Sequence, residues 1–232
     1  MLPNALWQEA IIEECKSRRS LATKLLLPLI LVGPLALAWV PPAMRSGGMA
    51  LAVIFIGIFG SSIGIVGLRD SKMLERLAVL PLHPAVVVSN YIMGRSVFMG
   101  IQLALPLALI LLVGQSRPIS MISLSLVILC YIAALVSASA VGTVVALIAR
   151  SSGEVHLYAF LTVIAVAGLS GIFPGTELIG FVIKISPFWQ LSNTLLFSWG
   201  ASELYTPAMA LISGAIILLA ALLLSPRLFR LD

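Results

Sequence analysis

Apolar residues run along this chain in blocks about as long as a bilayer is thick, and polar residues gather between the blocks. The blocks are Leu25–Met44, Met49–Leu68, Ser96–Val113, Ile119–Ile148, Val155–Phe173 and Pro207–Leu224. About 20 consecutive apolar residues in a helix cross the roughly 30 Å hydrocarbon layer of a membrane. The pattern therefore predicts an all-α polytopic membrane protein with six transmembrane helices. Ile119–Ile148 is longer than one upright crossing, which predicts a tilted helix or one that projects beyond the bilayer. Pro28, Pro34 and Pro106 fall inside spans and are candidate kinks.

Two segments depart from this rhythm. Leu178–Phe197 is apolar enough to enter the membrane, yet Lys184, Ser186, Pro187, Gln190 and Asn193 interrupt it. It reads as a pair of short helices, over about residues 176–197, that dips into the outer leaflet between spans 5 and 6 and returns. Non-helical backbone at that depth is tolerated only against protein or water. Residues 1–24 form a different kind of segment. Trp7, Ile11 and Cys15 recur at four-residue spacing behind the candidate cap Asn4, while Glu9, Glu13, Lys16, Arg18 and Arg19 make the polar side. Such a helix lies in the inner interface with its tryptophan at headgroup level.

Composition agrees with a lipid solvent. Hydrophobic residues make up 60% of the 232, charged residues only 10%, and the mean hydropathy is +1.13. Soluble domains average about 25% charged residues. The net charge of +5 gives orientation rather than a nucleic-acid surface, because the basic residues lie between spans and form no stripe. With the N-terminus inside, eleven of the 14 Lys and Arg residues fall on inner segments, and Arg45, Arg117 and Lys184 on outer ones. Positive charge is retained on the cytoplasmic side, so both termini are expected there, in a cell membrane. Cys15 and Cys130 are too few for a disulfide framework or a metal site.

The inner segment after the second span, Gly67–Arg95, holds the most information. It opens with Arg69, Asp70, Lys72, Glu75 and Arg76, in which Asp70 is a candidate helix cap. Met73, Leu74, Leu77 and Ala78 follow as an apolar stripe at helical spacing, before Pro81 and Pro84 turn the chain back. A helix over about residues 70–80 needs lipid or a protein groove to cover that stripe. Physical reasoning alone leaves a docking helix and a surface-lying helix equally open. Arg95, just before the third span, is expected to snorkel to the inner interface. His83, between two prolines, reads as a solvated turn residue.

The same stretch resembles the cytoplasmic loop of the type-2 ABC exporter permeases. The matching positions are Arg69, Asp70, Leu74-Glu75, Leu77, Leu80-Pro81-Leu82 and Gly94-Arg95. The family's Glu-Gly pair before the leucines is replaced by Lys72-Met73, and its usual lysine by Arg95. The Pro-containing step near that family's re-entrant pair is similar to Ser186-Pro187-Phe188-Trp189. The resemblance implies that Arg69, Asp70, Met73, Leu74, Glu75, Arg76 and Leu77 form a coupling helix that contacts an ABC ATPase subunit. It implies that Ser186, Pro187, Phe188 and Trp189 close the outer end as a gate. It further implies a second permease half, identical or similar, and a lipophilic or amphipathic cargo. Leu80-Pro81-Leu82 and Pro84-Ala85-Val86-Val87 are also similar to the haem-exporter permease of cytochrome c maturation.

No P-loop pattern occurs in the chain, so ATP and magnesium are expected on the partner and no cofactor or catalytic residue here. Two rivals differ in class. Ion-coupled carriers place Asp, Glu or His inside the membrane, whereas these six blocks contain no Asp or Glu. An intramembrane enzyme could use Gly60-Ser61-Ser62-Ile63-Gly64, which matches the G-x-S-x-G pattern, with His156 as base. That motif needs a strand-turn-helix elbow, and small residues inside a span more often bring helices close.

Overall fold

Prolines and serines set where the helices begin. The computed structural model describes residues 26, 28–37, 39–73, 83–113, 119–149, 151–170, 180–202 and 208–226. These form α1 (Pro42–Asp70), α2 (Pro84–Val113), α3 (Met121–Ile148), α4 (Ser152–Leu169), α5 (Gly180–Ile185), α6 (Pro187–Ser198) and α7 (Ala208–Leu223). A 3₁₀ turn, Gly33–Ala36, follows the helical residues 28–32. Pro42, Pro84 and Pro187 open α1, α2 and α6, where the missing N–H has no helical partner to lose. Ser120 and Ser151 cap α3 and α4, their hydroxyls accepting from the N–H groups of Ser123 at 3.1 Å and Glu154 at 3.3 Å.

The described residues are helical without strands, and α1, α2 and α3 are long and apolar enough to cross a membrane. They have 29, 30 and 28 residues, or about 42–45 Å at 1.5 Å per residue. α4 and α7 are shorter apolar helices.

The solvent of this bundle is legible in what it hides. Ser61, Ser62, Ser137, Ser139, Thr143, Gln190 and Thr194 are fully buried. Ile101, Leu105, Phe160, Leu161, Ile212 and Ile216 are more than half exposed. An aqueous fold would reverse this, since apolar patches of that extent associate or precipitate in water. Burying hydroxyls inside helices is possible because they donate one turn back: Ser137 to Ala133 O, Thr143 to Ser139 O and Ser213 to Met209 O, at 2.7–2.8 Å. The chain is a membrane-embedded helical protein.

α1 and α3 form the central pair, and α3 also carries α2, α6 and α7. Small residues let the two axes approach. Gly57 faces Ala138, and Gly142 lies directly against the backbone of Ile58. The G-x-S-x-G look-alike packs against a different neighbour. Gly60 gives room to the Arg95 guanidinium and Gly64 to the Tyr91 ring, while Tyr91 donates to Ser61 O at 2.7 Å. Here the two glycines make room for side chains of α2 rather than for a closely approaching backbone. His156 is exposed at the start of α4, its Nδ1 2.7 Å from Ser152 O.

Several boundaries differ from the hydropathy blocks. The first block does not continue helically to Met44: the 3₁₀ turn ends at Ala36, Leu37 is extended, and Met44 belongs to the first turns of α1. Pro34 sits in that turn, and Pro41-Pro42 restarts the helix. Arg45 is therefore a buried helical residue, not part of an outer loop, and its guanidinium donates to Leu37 O at 3.0 Å. α2 begins at Pro84, twelve residues before the expected Ser96, and runs through Pro106 to Val113. Residues 1–24 and most of the expected docking helix, 74–80, lie outside the described residues.

Candidate functional site

The Asp70 end of α1 is where the loop singled out by its sequence begins. Asp70 is the last residue of α1. The chain leaves through Ser71, whose N–H donates to Gly67 O at 3.0 Å, and Lys72, whose N–H donates to Arg69 O at 2.9 Å. Lys72 has φ 55°, the left-handed conformation that ends helices and usually selects glycine or asparagine. Met73 then turns back onto a cluster made of Ile65 from α1, Val88 and Ile92 from α2, Leu147 from α3 and Ala221 from α7. Leu74, Glu75, Arg76 and Leu77 lie outside the described residues.

Arg69 has a local task at this end. Its Nη1 donates to Ala149 O at 3.0 Å, placing a cation on the C-terminal carbonyls of α3. Arg69→Met is expected to lower stability by about 1.5 kcal/mol, the lower value for a hydrogen bond to a charged group. Unfolding midpoints in detergent measure this, and an unchanged midpoint would mean that water replaces the bond.

At the other end, α5 and α6 meet at Ser186, the break that Ser186-Pro187 predicts. Gln190, fully buried, reaches back so that Nε2 donates to Lys184 O at 2.6 Å and ties the six-residue α5 to α6. Ser192 Oγ donates to Ser46 Oγ of α1 at 3.0 Å, which holds α6 against the bundle. Pro187 and Phe188 point inward, Phe188 into the main core. Trp189 and Ser186 are half-buried, with Ser186 Oγ 3.4 Å from Ser170 Oγ. The four positions expected to act together thus divide between the core and its edge.

One residue changes role altogether. Arg95 does not snorkel: it is 8% exposed and lies inside α2, about 5 Å from the helix midpoint. Its guanidinium rests beside Gly60 of α1, 5.6 Å from the centre of the Phe98 ring. A cation at mid-membrane costs at least about 2.5 kcal/mol, so it persists only where helices enclose it. The signal for this was in the sequence. Pro84 marks a helix start, and the mainly apolar run Pro84–Gly94, interrupted by Ser89 and Asn90, is separated from the third block by Arg95 alone.

Among the described residues no group of three His, Cys, Asp or Glu side chains could hold a metal ion, and Cys130 is buried. No known family model matches the chain, and neither does any curated protein, so its assignment rests on its own residues and geometry.

Proposed function

We propose that this chain is the membrane subunit of an ATP-driven exporter. In this reading it has six spans and both ends inside, and it works with a second permease half and a separate ABC ATPase that carries ATP and magnesium. The observation that carries the reading is the course of the chain at Asp70–Met73. A left-handed residue, Lys72, ends α1 next to the amphipathic stretch, and Met73 packs against a cluster to which α1, α2, α3 and α7 contribute. A push on Met73 from a soluble partner would be felt by that cluster. Closure of the ATPase pair on ATP would shift Met73–Ala78, and the two membrane halves would rock about their interface.

Orientation is supported by charge even after the boundary corrections. Removing the buried Arg45 and Arg95 from the eleven-to-three distribution leaves ten inner and two outer basic residues. The pair α5–α6 fits a re-entrant element near the outer end, with Gln190 as its internal tie. Apolar blocks without Asp or Glu, which among the described residues occur only at helix ends as Asp70 and Glu154, favour a lipophilic or amphipathic cargo over a small ion.

A photoreactive side chain at the exposed Lys72 tests the contact. In native membranes it is expected to capture a P-loop ATPase; adducts with lipid alone would point to a surface-lying helix and sink the docking role.

A further inference from the structure

α5 is a small helix with few supports. Its six residues, Gly180–Ile185, are too few to stay helical without tertiary contacts. Among the described elements it packs mainly on α6 and, to a smaller extent, on α7. A Cβ added at Gly180 would meet no atom within 4 Å. Lys184 is exposed, which sets this helix at a water interface, because an ammonium facing hydrocarbon is costly. α6, by contrast, is fixed. Phe188, Leu191 and Leu195 belong to the main core, and Ser192 Oγ donates to Ser46 Oγ of α1.

Between the two helices lies a joint. Ser186 is extended (φ −57°, ψ 129°), and Pro187 follows it with no N–H to carry the helical ladder across. Ser186 N–H donates back to Ile183 O in α5, and Gln190 N–H donates to Ser186 O at the start of α6, both at 3.0 Å. A side chain supplies the bond across the joint: Gln190 Nε2 donates to Lys184 O at 2.6 Å.

The other half of the same amide is left over. Gln190 Oε1 is buried and has no hydrogen-bond partner among the described residues. A buried acceptor without a partner costs as much as a neutral hydrogen bond contributes, or more. The Gln190 amide therefore gains little by lying against α5. We propose that α5 is a hinged flap, which lifts from α6 about Ser186 and is latched by the Gln190 side chain. Lifting breaks the bond to Lys184 O, but water then reaches both halves of the amide. The two positions of α5 are thus close in free energy, while α6 stays in the core in both. This inference rests on the geometry of α5 and α6 and does not depend on the transport reading.

The test uses the full chain in lipid nanodiscs, with Cys15→Ser and Cys130→Ala, and Ile183→Cys as the reporter. Ile183 is 6% exposed, so a water-soluble maleimide reaches it freely only when α5 lifts. Its labelling is expected to be several-fold faster than that of Leu191→Cys, a fully buried position on α6. Gln190→Glu then examines the latch. A protonated carboxyl donates to Lys184 O as the amide does, and an ionised one has no proton to donate. The reporter rate with Gln190→Glu, divided by the rate with Gln190 at the same pH, is expected to start near one in acid and rise several-fold with pH. A ratio that stays flat removes Gln190 as the latch. Labelling of Ile183→Cys no faster than that of Leu191→Cys overturns the flap itself, and this comparison stands even where Gln190→Glu does not fold.

Discussion

Gly142→Ala is expected to destabilise the bundle by about 2–3 kcal/mol, the upper part of the range for overpacking a closed contact. A methyl group there would lie 2.5 Å from the carbonyl oxygen of Ile58 and 3.0 Å from its Cα. Backbone cannot swing aside, so α1 and α3, the central pair, must separate. Gly60→Ala is the informative comparison, because its new methyl meets the far end of the Arg95 side chain. A long side chain moves at low cost, and less than about 1 kcal/mol is expected. Unfolding midpoints of both variants in one detergent measure the difference. Equal small losses would mean that α1 and α3 are not held at this distance.

Charging the docking stripe gives the largest functional effect. Leu74→Asp with Leu77→Asp is expected to weaken ATPase association at least about 100-fold, since each buried leucine contributes about 1.5–3 kcal/mol and 1.4 kcal/mol is a factor of ten. Transport is expected to fall in parallel while the unfolding midpoint stays near that of the wild type. Leu74→Met, which conserves volume and apolarity, is expected to retain both. Intact association in the double variant would remove the segment from the coupling role.

How much of this molecule could be read from its residues depended on which force set each feature. The long apolar blocks marked α1, α2 and α3, because exclusion of backbone polar groups from lipid leaves a helix as the only solution for such a run. The Ser186-Pro187 break was equally legible, as local backbone chemistry. Hydropathy failed where a polar residue is enclosed by neighbours. Placing Arg95 at an interface put the start of α2 twelve residues late, and Arg45 was set in a loop for the same reason. In both cases tertiary packing, including the space left by Gly60, outweighs the transfer cost that a linear reading applies. An apolar groove lined by Ala104 and Ala108 of α2 and by Ile128 and Ile132 of α3 belongs to no single segment, because it exists only once the two helices are packed.

Co-purification measures the central claim most directly. The tagged chain, extracted from native membranes in mild detergent, is analysed by mass spectrometry and assayed for ATP hydrolysis. The account predicts recovery of a P-loop ATPase with vanadate-sensitive hydrolysis, both lost with Leu74→Asp and Leu77→Asp. A folded preparation without any ATPase, whose transport follows an ion gradient instead, would contradict it.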